Sequence, residues 1–551
     1  MKKHYLLLII IILLGAFLRL YRLGEIPSGY FRDEAAISYN AYSIWESGKD
    51  EFGVRLPLVF RSFEVFFLPL YIYLSAPIVG LMGLSEFSSR LLSAISGIVA
   101  LLFIYLIGKR IVNKKTGLLA LLILAISPWH IYYSRGTFEG NLALTLFSGG
   151  FYFWLRFVEH FKKKYVLISG LLFAFSMYSY QAERLVVPLF SLIAIYLSFN
   201  KMWERRKALV VPALLIIAVL VPLLSLTFSA GGYHRASGVS ILSSTSKPPG
   251  WIEGEPAGLF SNNKIYLRGR QLTALYLSYF SPKNIFIEAD FDMQRSVEDF
   301  SVFYVWTLPF MLLGFYKLFS NFSKENKLLA VWIFLAPLPA AATADPFHTY
   351  RSLLLYFPLS LLAGKGLEVT YEYISAKKIA KLKHFGKYLF LLLLTFISII
   401  SLSAFLFSYV FVNPSLRARY WDYGYKELIN IIGTLPKETG IVIDDPLTEA
   451  YIHYLFFNKT SPEVYHAEVA KLGDMEVYYY SDPSEIRPER IGNIEFRKVS
   501  WPTERGDRGK VFVMWHERLP ESEFISDPNV ELLKEVYYPD GKIGYRIVRV
   551  R

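Results

Sequence analysis

The chain has 551 residues, 54% of them hydrophobic and 17% aromatic, with a formal net charge of +13 and no cysteine. Its apolar residues are gathered into blocks of about 20, the length that crosses a bilayer core, which argues against a soluble globular protein and predicts a polytopic membrane protein. The lack of cysteine excludes disulfides, thiolate nucleophiles and Cys-ligated zinc. The basic excess falls in short clusters between apolar blocks, a pattern of membrane topology and not of a nucleic-acid footprint.

The first stretch, MKKHYLLLIIIILLGAFLRL, joins a basic start to an apolar run, and no small-x-small cleavage site follows. It reads as an uncleaved first span. Further apolar blocks lie near 65–84, 90–108, 117–133, 139–158, 165–180, 184–200, 208–228, 300–319, 328–343, 348–363 and 387–411. The basic clusters at 108–117, 159–165, 200–207, 320–327 and 365–387 all fall in the cytoplasm only if the 65–84 block does not cross. That block carries Pro69 and Pro77, which suits helices lying at the outer surface. The arithmetic predicts about eleven transmembrane helices, a cytoplasmic N-terminus, and large external loops at 21–89 and 229–298. Residues 1–411 form the membrane domain in this reading, and 412–551 an extracytoplasmic soluble α/β domain. In that tail DYGYKELINIIGTL reads as a helix, GIVIDD and KVFVMW as strands, and the last residues as a hairpin about Asp540-Gly541.

This topology puts most ionisable residues near the membrane on one face. Arg32, Asp33 and Glu34 follow the first span; Arg90 opens the second. Arg135 and Glu139 sit between the third and fourth, Arg184 between the fifth and sixth, and His348 and Arg351 after the ninth. Snorkelling or ordinary loop charge accounts for any one of them. Acidic and basic groups converging from successive loops suggest a site, because charge at membrane depth is costly without a partner or a cavity. A carboxylate is suited to general-base work and arginines to bidentate phosphate binding. Together they fit group transfer from a phosphorylated donor. No Walker, dinucleotide or H-E-x-x-H motif is present, and the outer compartment holds little nucleotide, so a donor anchored in the bilayer, such as a polyprenyl-phosphate sugar, meets the requirement. The long loop contains Asp290, Asp292 and Arg295; it reads as a lid or acceptor groove, and the Asp-x-Asp spacing admits a divalent metal. Trp129 and His130 after Pro128 read as an interfacial aromatic belt.

The segments FRDEAAISYNAYSIWESGKDEFGVRLPLVF, SRLLSAISGIVALLFIYLIGKR, ISPWHIYYSRGTFEGN and YSYQAERLVVPL resemble the bacterial and archaeal family 39 glycosyltransferases. These are relatives of the protein O-mannosyltransferases and of the aminoarabinose transferase that modifies lipid A. The resemblance covers roughly residues 15–365 and implies a GT-C fold, with juxtamembrane helices in the first external loop. It further implies an inverting hexosyl- or pentosyltransferase that uses a polyprenyl-phosphate donor. Asp33 would be the general base, Glu34 its support or a sugar ligand, and Glu139 the second acidic residue. Arg135, Arg184, His348 and Arg351 are expected at the donor phosphate, and Arg32, Glu64, Arg90, Asp290 and Arg295 at substrate. The acceptor is a lipid, glycan or protein. Ala35, Ala36 and Ile37 follow the acidic pair where the aminoarabinose transferases place an Arg, which argues against lipid A. A lipid-linked-sugar flippase is the alternative; its usual inverted repeats and mid-membrane charges are not evident.

Overall fold

The computed structural model describes residues 2–63, 65–227, 249–250, 263–320, 323–343, 345–375, 380–445, 449–473, 475 and 486–551. Glu64 and most of the 229–262 stretch lie outside the described residues. The chain forms two compact units, one of Met1–Tyr21 and Ser93–Ser408, the other of Arg22–Leu92 and Tyr409–Arg551. Residues 22–92 therefore group with the tail, whereas the sequence suggested one break at 411.

The first ten helices are α1 (Lys2–Leu20), α2 (Arg32–Ser47), α3 (Pro69–Met82), α4 (Glu86–Ile111), α5 (Lys114–Ile126), α6 (Pro128–Tyr133), α7 (Glu139–His160), α8 (Lys163–Ser179), α9 (Glu183–Glu204) and α10 (Arg206–Thr227). Later come Lys264–Ser278, Leu308–Phe319, Lys324–Leu335, Leu353–Ser375 and Ala380–Phe407. Among the described residues, six helices are long and apolar enough to cross a membrane: Lys3–Leu20, Glu86–Ile111, Glu183–Glu204, Arg206–Leu223, Leu353–Ser375 and Phe385–Trp421. The other expected spans coincide with helices that are shorter or more polar. The stretch 117–133 is broken, since Pro128 starts α6 after Ser127 leaves the helical conformation. At 14 residues, α3 reaches only about 21 Å, short of a core of about 30 Å.

In the first unit, Leu353–Ser375 is buried along most of its length and packs against α5 and Leu308–Phe319. Glycines permit the crossing with the latter: a Cβ on Gly314 would collide with the Leu362 carbonyl, and one on Gly366 with that of Phe310. Two buried arginines fix the end of α1. Arg19 donates to the carbonyls of Gly15 (2.8 Å), Ala125 (3.2 Å) and Leu124 (3.3 Å), and its Nη2 meets His130 Nδ1 at 2.5 Å. Arg135 donates to the carbonyls of Leu18 (2.9 Å) and Tyr21 (2.7 Å). His130 and Trp129 are thus interior residues, not the interfacial belt expected from Pro128; both are buried, His130 completely.

In the second unit, a two-stranded hairpin of β1 (Phe60–Ser62) and β2 (Val65–Phe67) leads into α3. The tail builds a six-stranded sheet from β3 (Ile441–Asp444), β4 (Arg490–Ile491), β5 (Ile494–Arg497), β6 (Val511–Trp515), β7 (Val530–Tyr537) and β8 (Ile543–Val550), in the order β4-β5-β3-β6-β8-β7. The apolar, β-branched runs of β3 and β6 lie parallel at its centre, and β7 and β8 form the hairpin about Gly541, whose φ is +82°. Val442, Trp501, Phe512, Met514 and Val548 fill the core on one face. Helix α2 packs on Ala450–Phe457: Tyr30 stacks on Phe456 with ring centroids 4.3 Å apart, and the Tyr451 hydroxyl donates to Glu51 at 3.2 Å.

Behind α2, His466 Nε2 lies 2.6 Å from the carbonyl oxygen of Asp50. Burial, with a smaller contribution from Lys49, lowers the His466 pKa below its ordinary value of 6.5. As pH falls through about 6.5 the unfolded chain therefore takes up this proton before the folded one does. Stability from this group is complete above that pH and drains below it. Wild type should lose more stability than His466→Gln as pH falls below about 6.5. Denaturant unfolding of the two proteins at stepped pH measures the difference.

Candidate active site

The acidic pair stands on the first turn of α2. Phe31 is the N-cap residue, extended at φ −66° and ψ 147°, and makes no side-chain cap bond; the first helical residues are Arg32, Asp33 and Glu34. Glu34 turns inward. Its carboxylate receives Nε of Arg90 at 3.0 Å and Nη2 at 2.9 Å, a two-pronged ion pair with side chains 3% and 0% exposed. Arg90 also donates to the carbonyls of Leu23 (3.3 Å), Pro27 (3.1 Å) and Gly29 (2.9 Å), so it gathers the whole approach to α2. The Tyr30 ring lies 5.2 Å from its guanidinium carbon, and the Tyr30 hydroxyl is 2.7 Å from Ser38 Oγ. Asp33, one residue along the helix, is half-buried. At a helix N-terminus the backbone dipoles favour an ionised carboxylate. Neighbouring Arg32 pairs with Glu449, and its backbone N–H donates to Asp422 at 2.9 Å.

In the first unit, Glu139 opens α7. The Gly140 amide donates to the Tyr350 hydroxyl at 2.8 Å, and that hydroxyl is hydrogen-bonded to the Glu139 side chain. Burial, followed by the Glu139 charge, pushes the Tyr350 phenol well above its ordinary range, so it stays protonated. Arg184 lies half-buried on the first turn of α9 beside Glu183, whose carboxyl is buried. Sequence reading missed Tyr350 and Glu183. The stretches DPFHTYR and SYQAER contain them, but neither residue stands out from its charged neighbours.

His348, Arg351 and Asp345 share one turn before Leu353. His348 Nδ1 accepts the Arg351 amide at 3.3 Å, and Asp345 lies 3.5 Å from Arg351 Nη1 and 3.7 Å from His348 Nε2. Burial, then the charges of Arg351 and Arg295, hold the His348 pKa far below its ordinary value. It is therefore a neutral imidazole at physiological pH, and would meet a phosphate as a hydrogen-bond donor and not as a cation. Asp290 is a hub. It accepts the Thr349 amide (2.9 Å), the Thr349 hydroxyl (2.8 Å) and Arg295 Nε (3.0 Å). Arg295 also reaches Asp292 at 2.8 Å. The Asp-x-Asp spacing thus serves an arginine latch, and among the described residues no group of three or more His, Asp or Glu could hold a metal ion.

A helical unit with helices long and apolar enough to cross a membrane, and a segment at 22–92 with short helices, have the architecture of solved structures with the GT-C fold. ArnT from Cupriavidus metallidurans, solved bound to undecaprenyl phosphate, superposes with a TM-score of 0.58 at 11% identity, over 99% of this chain and 97% of that one. Its apo form gives 0.54, again at 11% identity, over 99% and 98%. The oligosaccharyltransferase of Archaeoglobus fulgidus, tethered to an acceptor peptide containing the NVT sequon, gives 0.50 at 15% identity, over 98% of this chain and 74% of that one. Residues 68–226 match the family model of dolichyl-phosphate-mannose-protein mannosyltransferases. No curated protein matches the sequence. The chain shares the fold of these structures, the GT-C fold that the resemblance implied.

Proposed function

We propose that the protein is an integral-membrane glycosyltransferase that moves a sugar from a polyprenyl phosphate to a lipid, glycan or protein acceptor on the extracytoplasmic face. The observation that carries this reading is the division of labour within the acidic pair. Arg90 clamps Glu34 in the interior, which leaves Asp33 as the more exposed carboxylate at the start of α2. Asp33 takes the proton of the acceptor hydroxyl or amine, the freed lone pair attacks the anomeric carbon, and the carbon–oxygen bond to phosphate breaks. The lipid phosphate leaves with the bonding electrons. Arg351 and Arg184 are the cations assigned to its charge, which grows in the transition state and is best stabilised by fixed donors. Glu139, oriented by Tyr350, is assigned to the sugar hydroxyls. Arg135, whose guanidinium already serves the carbonyls of Leu18 and Tyr21 at the end of α1, is assigned to holding that helix end.

Support comes from the fold shared with ArnT, solved with undecaprenyl phosphate bound, and from the mannosyltransferase family match. The reading keeps the topology of eleven spans with the N-terminus in the cytoplasm and the tail outside. A single displacement inverts the anomeric centre. A donor of known configuration should give the opposite anomer in the product, read from the anomeric proton–proton or carbon–proton coupling by NMR. Retained configuration would contradict the mechanism.

A further inference from the structure

The helix that presents Asp33 receives no side-chain acceptor for its first turn from its own N-cap residue. The first-turn amides of a helix have no intrahelical acceptor, and Phe31 at the N-cap has no side-chain oxygen to offer. Glu34 gives only a long contact back to the Phe31 amide, 3.4 Å, while committed to Arg90. The acceptor for the Arg32 amide comes from the other end of the chain. Asp422 Oδ2 receives it at 2.9 Å, across 390 residues. Carboxylates are among the best residues at a helix N-cap, and here one is supplied by the tail.

The turn that delivers it is built for the purpose. Asp422 sits at φ +49° and Gly424 at φ +107°, two left-handed residues in RYWDYG. Trp421 ahead of them is buried, and its carbonyl lies so close to Gly29 (φ +85°) that a Cβ there would collide with it. His453 Nε2 lies 3.4 Å from the same Asp422 oxygen, with its ring stacked 4.2 Å from that of Tyr425. A second tether runs through the Arg32 side chain. It pairs with Glu449, whose amide donates to Asp445 at 2.7 Å. Asp445 in turn holds Arg487 at 3.0 Å, both side chains buried. The first turn of α2 is thereby fixed by backbone and by side chain to the tail.

We infer that Asp422 is a positioning residue for Asp33, that Glu449 acts with it through Arg32, and that the tail is required to set the general base. The inference rests on the reading of Asp33 as that base. A misplacement of about 1 Å in a reacting group can cost about a hundredfold in rate, and an uncapped first turn is free to fray by that much.

The test uses the full chain in lipid nanodiscs. It compares wild type with Asp422→Ala, Asp422→Asn, Asp33→Asn and the double variant Asp33→Asn/Asp422→Ala. Two readouts are taken, transfer from a polyprenyl-phosphate sugar and backbone amide hydrogen exchange. Asp422→Ala should lower kcat about ten- to a hundredfold with the donor KM within about twofold. It should speed exchange in peptides covering 29–36 and leave the central strands β3 and β6 unchanged. Asp422→Asn retains an oxygen that accepts the Arg32 amide, and should restore both readouts. In the Asp33→Asn background the Ala substitution should cost little more, since the group being positioned is already gone. If Asp422→Ala does not give monodisperse protein, Glu449→Gln takes its place with the same kcat and exchange signature. Wild-type kcat per folded molecule, unchanged exchange at 29–36, or a fully additive double variant would overturn the inference. Full activity in Asp33→Asn would instead remove the base assignment, whatever Asp422 does to exchange.

Discussion

Asp33→Asn should fold, bind donor and fail to turn over. The substitution keeps the shape of a half-buried side chain on the first turn of α2 and removes its charge and its capacity to take a proton. A positioned general base contributes about 10²–10⁴-fold, so kcat should drop by about that factor, with the KM for a polyprenyl-phosphate sugar close to wild type if chemistry is rate-limiting. Glu34→Gln provides the contrast. It leaves the Arg90 guanidinium buried without its counter-charge, so its first effect is on the amount and thermal stability of the folded protein. Steady-state kinetics beside a thermal melt separates the two carboxylates. Asp33→Asn with near-normal turnover would remove the base from the mechanism.

Arg90→Met carries the largest structural cost. Arg90 neutralises a buried carboxylate and satisfies three backbone carbonyls between Leu23 and Gly29. Removing one partner of a buried pair costs about 3–5 kcal/mol, because the other charge is left unpaired in the interior. A typical domain has only about 5–15 kcal/mol to lose. Arg90→Met should therefore give little folded protein, measured as the monodisperse fraction on size exclusion. Arg90→Lys should recover only part of it, since a single ammonium lacks the planar fork that meets both Glu34 oxygens and the carbonyls. Removing both charges in Glu34→Leu/Arg90→Met should be milder than Arg90→Met alone.

What the sequence made legible followed from local pattern. Apolar blocks of helical length and β-branched runs such as GIVIDD and KVFVMW are local signals, and among the described residues most helices and strands lie where those patterns fall. Asp33, Glu34 and Arg90 stood out as charges near a membrane. That Glu34 and Arg90 form one ion pair did not, because 56 residues separate them and no local rule fixes such a partner. The trans cap from Asp422 and the Arg32–Glu449 pair span 390 and 417 residues and left no trace in any motif. His130 was misjudged for a related reason. An aromatic residue at a helix end resembles an interfacial belt until the buried Arg19 guanidinium that it meets is placed beside it. The spacing Asp290-x-Asp292 suggested a metal because spacing alone does not show that Arg295 lies between the two.

The central claim is transfer from a lipid-phosphate sugar. The most direct test is to reconstitute purified protein in vesicles with a panel of radiolabelled polyprenyl-phosphate sugars and a membrane extract as acceptor source. Label in the acceptor fraction and free polyprenyl phosphate should be followed together. One donor should yield label in a lipid, glycan or protein, with an equal amount of polyprenyl phosphate released, and Asp33→Asn should abolish both. Labelled lipid that only changes leaflet, intact and indifferent to the substitution, would contradict the account and identify a flippase.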